Sequence, residues 1–429
     1  MVANQAPWGN PVNQPYPKFL RVRQLFDAPV CTDLAGAVRD RLAELDLAGR
    51  VRSGQSVAIT AGSRGIKNID RILGHVVEAL RGLGLEPFLF PCMGSHGGAT
   101  AEGQEEVLRD YGITEAAVGA PIRATMEAVE VGRLQDYDTP VMLNTYAAEA
   151  DHVVVVNRVK PHPCYGGPVQ SGLMKMMMIG LGNHRGASLY HRAIITHGFT
   201  PLVYATAREV LRTCPILCGL AVLENAYDQT ADLVAVRPEE LIEQEERLLL
   251  RAAGLMPRLP FDEIDLLVID EVGKNISGSG MDSNLVGRGK PIEGRITRIY
   301  IRDLTPESHG NASGVGWADF CHQRVVDRTD VAGTYLNALT SGYPDSVATP
   351  LHLATDRECL DAALATIGLP DPPAAKVVWI KNTKQVSEVA VSEAFAEAVE
   401  ARPDLEPTGD LGSLAFDAAG DVRSPLARS

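Results

Sequence analysis

Residues 56–91, SVAITAGSRGIKNIDRILGHVVEALRGLGLEPFLFP, decide the fold. SVAITAG is a short, almost wholly apolar run, as expected of a strand buried on both faces. From Ile69 to Leu83 the apolar residues take helical spacing, and the glycines of RGLGL stop the helix. EPFLFP then reads as a second buried strand. A strand returning through a helix to another strand is the repeating unit of a largely parallel sheet.

The same alternation extends outward in both directions. A second helix is predicted from an N-cap near Thr100 to a stop at Gly112. DHVVVVNRV, from Asp151, is a third strand, followed by a helix over 202–213, a strand in ILCGLAVLEN and an acidic helix over 238–253. The prolines of GLMPRLPF mark a linker, which places a domain boundary near Pro257 to Asp262. A second α/β pattern opens with EIDLLVIDEVGKNISGSGMD, with later strands at RITRIYIRDL and AKVVWIKN and helices over 330–339 and 356–367. The expectation is two Rossmann-like α/β domains, 1–258 and 259–429, with the active site in the cleft between them. The tail after Pro403, rich in Pro, Gly, Asp and Ala, is expected to be loosely held.

Bulk properties exclude several classes. With 429 residues, 45% hydrophobic and 22% charged, the chain is an ordinary globular protein with material for two cores. A formal charge of −14 disfavours nucleic acid as a partner, because phosphate backbones bind basic faces. No apolar run approaches the roughly 20 residues of a membrane span. The N-terminal MVANQAPWGNPVNQPYP lacks a basic start and an apolar stretch, so it is expected to be an extended arm and the protein cytoplasmic. Seven scattered cysteines form neither a disulfide framework nor a zinc motif.

In open parallel sheets, ligands settle beyond the carboxyl ends of the strands. Four loops occupy such positions: AGSRGIKN, MGSHGGAT, NRVKPHPCYGGPVQSGLMK and DEVGKNISGSGMD. Each joins glycines to a cation or an imidazole, namely Arg64 and Lys67, His96, Lys160 with His162 and Lys175, and Lys274. Each alone is a common turn with a solvated charge; together they indicate an anionic ligand. His162 lies between Pro161 and Pro163, which restrict the backbone on both sides and suit a proton-transfer group held in one direction. A rigid surface loop with an exposed histidine is the plainer alternative. Lys175, among the methionines of LMKMMMIG, must reach solvent, find a partner, lose its charge or form a covalent bond. His191 falls on the first turns of a helix opening near Ala187. His184, His191 and His197 are too irregularly spaced for one zinc face, and GLGNHRG has the wrong glycine spacing for a dinucleotide motif.

Taken in order, GSRG, GSHGG, DHVVVVNRVKPH with its glycine-rich continuation to Lys175, then His191, and DEVGKNISGSGMDSN resemble the nickel-dependent lactate racemase superfamily of 2-hydroxyacid racemases and epimerases. The resemblance runs through most of the chain and implies that the first domain binds cofactor and carries out the chemistry, while the second closes over substrate. It implies a nickel-pincer nucleotide cofactor, a pyridinium-3,5-bisthiocarboxylic acid mononucleotide. This would be tethered to Lys175, have its nickel bound by His191, and be flanked by the glycines Gly166, Gly167 and Gly172. It further implies His96 and His162 as the two acid/base groups, Arg64 as the residue pairing with the substrate carboxylate, and Lys274 as a substrate contact. Cofactor-synthesis enzymes are then the implied partners. Two departures leave the acid open among lactate, malate, a sugar acid or others: the long YGGPVQSG stretch, and Ala61 where the lactate enzyme carries an acid. Two other classes compete. A non-catalytic anion- or nucleotide-binding homologue would need neither Lys175 nor His191. An NAD-type dehydrogenase would need a correctly placed GxGxxG, which is lacking.

Overall fold

A computed structural model describes residues 15–62, 65–368 and 371–427. The chain divides into two compact units. One is Asp27–Met256; the other is Pro257–Ser429 together with the segment that ends at Phe26.

Fifteen strands run along the described residues. They are β1 (Phe19–Gln24), β2 (Ser56–Ala61), β3 (Glu86–Pro91), β4 (Ala128–Leu134), β5 (Thr139–Asn144), β6 (His152–Arg158), β7 (Ile216–Glu224), β8 (Thr230–Val236), β9 (Glu263–Ile269), β10 (Arg295–Ile301), β11 (Phe320–His322), β12 (Leu351–Leu353), β13 (Val377–Asn382), β14 (Gln385–Ser392) and β15 (Leu405–Pro407).

The first unit holds a five-stranded sheet in the order β3-β2-β6-β7-β8, parallel except for β8. The middles of its parallel strands are largely apolar because both faces are covered. Val57, Ile59, Val154 and Val156 enter one core with Ile72, Leu73, Val76 and Leu80 of the helix Ile69–Gly82. Their neighbours Ala58, Val153 and Val155 enter another, with Leu202, Val203 and Val210 of the helix Phe199–Thr213. Alternate residues thus serve opposite layers. The expected helix after Thr100 runs Ala101–Asp110, and the Thr100 hydroxyl caps it by accepting the Gly103 N–H at 3.1 Å. The antiparallel hairpin β4–β5 escapes the sequence reading, since AVEVGRL mixes polar and apolar residues without a buried-strand run.

In the second unit an eight-stranded sheet is ordered β12-β11-β10-β9-β13-β14-β1-β15. Strands β9 to β13 are parallel, and β14, β1 and β15 extend the sheet antiparallel. β1 therefore belongs to this unit and not to the domain expected over 1–258: Phe19 to Arg23 pair residue for residue with Ser392 to Glu388. Residues 1–14 of the expected N-terminal arm lie outside the described residues.

The tail after Pro403 is tied down, contrary to expectation. The Ser424 hydroxyl donates to Asp270 at 2.6 Å, and the Val422 N–H to Asp356 at 3.0 Å. Among the described residues, no helix is long and apolar enough to cross a membrane.

Candidate functional site

In the first sheet, β2 lies inside. The chain moves from it to β3 on one side and later to β6 on the other, so the strand order reverses between β2 and β6. A crevice at the carboxyl ends of the strands is expected at such a point. The loops leaving β2 and β6 flank it, and they are two of the four singled out by sequence.

The loop after β2 carries Arg64, which lies outside the described residues. Its continuation is pinned by groups that the sequence reading missed. Arg158 ends β6 and Glu224 ends the adjacent β7, and their side chains, 18% and 10% exposed, form an ion pair. Arg158 also donates to the Gly65 carbonyl at 3.2 Å, and Glu224 accepts the Lys67 N–H at 2.7 Å. A charge pair shared between two strand ends thus fixes the backbone just beyond Arg64. The signal in the sequence was an ionisable residue closing each apolar strand.

The loop after β3 turns through three successive left-handed residues, Gly97, Gly98 and Ala99, directly after His96. Gly97 has φ +64°, and a Cβ there would run into the backbone of Gly103 and Gln104. The loop is also held by Gln104, whose amide donates to the Gly94 carbonyl at 2.9 Å. His96 is exposed at the tip. Gly94, two residues earlier, packs on Ala187, one helical turn before His191.

The loop after β6 is closed at its base, where Lys160 and Ser171 exchange backbone hydrogen bonds of 2.9 and 3.2 Å. Within it, His162 Nδ1 accepts the N–H groups of Cys164 and Tyr165 at 3.0 and 3.2 Å. The imidazole stacks on Tyr165, whose ring stacks in turn on Phe199, with centroids 4.3 and 4.2 Å apart. The fixed orientation expected from the flanking prolines is therefore enforced by two backbone donors and an aromatic stack. Gly166 and Gly167 abut Thr200 at the start of the Phe199–Thr213 helix; Gly167 has φ +104°.

Lys175 closes a short helical turn, Leu173–Lys175, that opens directly into a π-turn, Met176–Gly180. Wider turns of this kind recur at functional sites. Its Nζ stands 5.7 Å from the Tyr165 ring centroid. The next helix begins at Asn183, not near Ala187, and places His191 in its third turn. Gly182 and Gly186 at its start press on Met142 of β5, which explains the glycines of GLGNHRG as packing. Burial first, and then the Lys175 ammonium, hold the His191 imidazole below its ordinary pKa, so it is kept in the neutral, electron-donating form. The structure thus joins His162, Tyr165, Lys175 and His191 through successive contacts, with the His96 loop packed on the same helix.

A group absent from the sequence reading lies beneath this cluster. Glu245, on the helix Leu241–Leu255, is fully buried, and its Oε2 accepts the Met174 N–H at 2.8 Å. Burial raises its pKa to about 8, against the lowering effect of the Met174 and Leu173 N–H groups. A Cβ on Gly172 would come within 2.5 Å of Glu245 Oε1. The absent side chain at Gly172 is therefore explained by the carboxyl packed there.

Lys274 follows β9 in the other unit, where its Nζ donates to the Gly278 carbonyl at 2.9 Å. That unit also gathers His322, Asp356 and Asp421 with ligand atoms within 4.8 Å of one another. Guanidinium groups already neutralise these carboxylates. Arg302 donates to Asp356 at 3.0 and 2.8 Å, and Arg324 stands 2.8 Å from Asp421. The cluster reads as a structural charge network.

Residues 32–200, which hold His96, His162, Lys175 and His191, match the family described as the lactate racemase N-terminal domain. A solved structure from Thermotoga maritima is similar at 12% identity and a TM-score of 0.49, covering 84% of this chain and 99% of that one. The lactate racemase apoprotein of Thermoanaerobacterium thermosaccharolyticum is similar at 11% identity and a TM-score of 0.46, covering 90% and 92%. Among curated proteins, none matches the chain.

Proposed function

We propose, from the match of residues 32–200 to the lactate racemase N-terminal domain, that this chain is a racemase or epimerase inverting C2 of a small 2-hydroxy acid. One observation carries the reading: within that domain, a lysine and a histidine kept in its neutral form are brought together. Simple anion binding needs neither. The donor set fits the nickel-pincer nucleotide implied by the family, with Lys175 supplying an amine for the tether and His191 a neutral imidazole for nickel. When bound, that group would accept a hydride from C2 and return it.

The chain's own residues would handle the oxygen and the carboxylate. His96 and His162 are the acid/base pair, on separate loops, and the imidazole is the side chain best suited to proton exchange near neutrality. Because two N–H groups point at Nδ1, neutral His162 carries its proton on Nε2. It therefore meets a substrate oxygen as a donor in its resting form, while His96 takes the hydroxyl proton. Arg64 would hold the carboxylate by a two-pronged contact, its loop anchored through Arg158 and Glu224.

Protein produced alongside the cofactor-synthesis enzymes, analysed by intact mass and metal content, tests this. An adduct on the Lys175 peptide with stoichiometric nickel, and epimerisation of at least one acid in a panel of 2-hydroxy acids, are expected. His96→Ala and His162→Ala should abolish interconversion and keep nickel, whereas His191→Ala should lose it. An unmodified Lys175 would return the chain to the reading of a non-catalytic anion-binding homologue.

A further inference from the structure

We infer that Glu245 is a positioning residue for Lys175, holding from below the turn that presents the lysine; this rests on the reading of Lys175 as the attachment point. The turn Leu173–Lys175 is three residues long and passes directly into the π-turn Met176–Gly180. A segment so short does not sustain itself, because the N–H groups of a first turn have no partners within the helix. Gly172, at the capping position, has no side chain to satisfy them.

Glu245 supplies what is missing. It reaches in from another helix, 71 residues further along the chain, and its Oε2 accepts the Met174 N–H at 2.8 Å. The Leu173 N–H also faces this carboxyl. Asn157 at the end of β6 fixes the other side, its amide donating to the Gly172 carbonyl at 2.8 Å. The backbone entering Lys175 is thus gripped by one group from the strand and one from the helix.

A buried glutamate that merely filled space would be better replaced by a hydrophobic residue, since burying a carboxyl is costly. Its Oε1, moreover, is buried without a hydrogen-bond partner. What recovers part of that cost is the set of backbone donors immediately before Lys175. Gly172 is the complement of this arrangement, because any side chain there would displace the carboxyl.

The experiment compares wild type, Glu245→Gln, Glu245→Ala and Gly172→Ala. Hydrogen exchange over residues 170–178 is followed in the chain without cofactor, and adduct occupancy on Lys175 is measured after production with the cofactor-synthesis enzymes. Glutamine keeps an acceptor oxygen for the Met174 N–H, so Glu245→Gln is expected to retain slow exchange and loading. Glu245→Ala and Gly172→Ala are expected to exchange roughly tenfold faster at Leu173 and Met174 and to lose most of the adduct. Gly172→Ala keeps the carboxyl and tests the contact even if Glu245→Ala fails to fold. Unchanged exchange in Glu245→Ala and Gly172→Ala, or equal loss in Glu245→Gln and Glu245→Ala, overturns the inference. A wild type without adduct overturns the cofactor reading instead, and the exchange comparison then decides whether Glu245 holds the turn.

Discussion

The imidazole of His162 lies on the ring of Tyr165, with centroids 4.3 Å and planes 15° apart, while Tyr165 donates its own N–H to Nδ1 of that imidazole. Tyr165 therefore sets the tilt of the histidine and, together with the Cys164 N–H, the position of its proton. Tyr165→Leu removes the stack on both His162 and Phe199 but leaves the backbone donor. The expected result is a stability loss on the order of 1–3 kcal/mol by thermal unfolding, with a larger proportional fall in turnover than in substrate affinity.

Glu224 holds the loop after β2, to which the proposed carboxylate-binding Arg64 belongs, from the end of β7. Glu224→Ala leaves Arg158 without its carboxylate and the Lys67 N–H without its acceptor. Removing one partner of a largely buried pair costs about 3 kcal/mol. The loop bearing Arg64 should loosen, so the KM for the hydroxy acid rises by about tenfold or more while kcat changes less. Equal KM values in Glu224→Ala and wild type would separate this ion pair from substrate binding.

Glu245 makes a pH prediction whose sign is fixed. Its folded pKa is about 8, above the ordinary glutamate value. Between the two values the unfolded chain has released the proton and the folded chain has kept it. Stability from this group therefore falls as pH rises through that window. Glu245→Gln removes the effect. Thermal unfolding should show the two proteins converging at low pH and Glu245→Gln gaining on wild type as pH approaches 8.

In the second unit the sign is reversed. Burial alone would raise the Asp356 carboxyl, but the Arg302 guanidinium outweighs it and holds the group below the ordinary aspartate value. Its contribution is complete above about pH 4, the ordinary value, and is lost as pH falls through the lower folded one. Asp356→Ala should destabilise by about 3–5 kcal/mol, because Arg302 loses its two-pronged partner. Truncation before Asp417 removes Val422 and Ser424 and should lower the unfolding temperature, as a loosely held tail would not.

The amino-acid sequence by itself determined the α/β class, the buried strands β2, β3, β6, β7 and β9, and the loops in which the candidate residues lie. These follow from local rules: apolar runs make buried strands, helical periodicity makes crossovers, and ligands are expected where parallel strands end. His96 and His162 were singled out by the same rules, whereas the roles proposed for Lys175 and His191 came from the family resemblance. Only the tertiary structure decided that β1 joins the second unit, that the tail after Pro403 is tied to Asp270 and Asp356, and that His191 lies in the third turn of its helix. Only it revealed Glu245, Arg158 and Glu224 as supports. Their roles depend on partners 66 to 157 residues away in the chain. No periodicity or motif encodes which distant backbone donor a buried carboxylate will meet; the packing of strands and helices settles that.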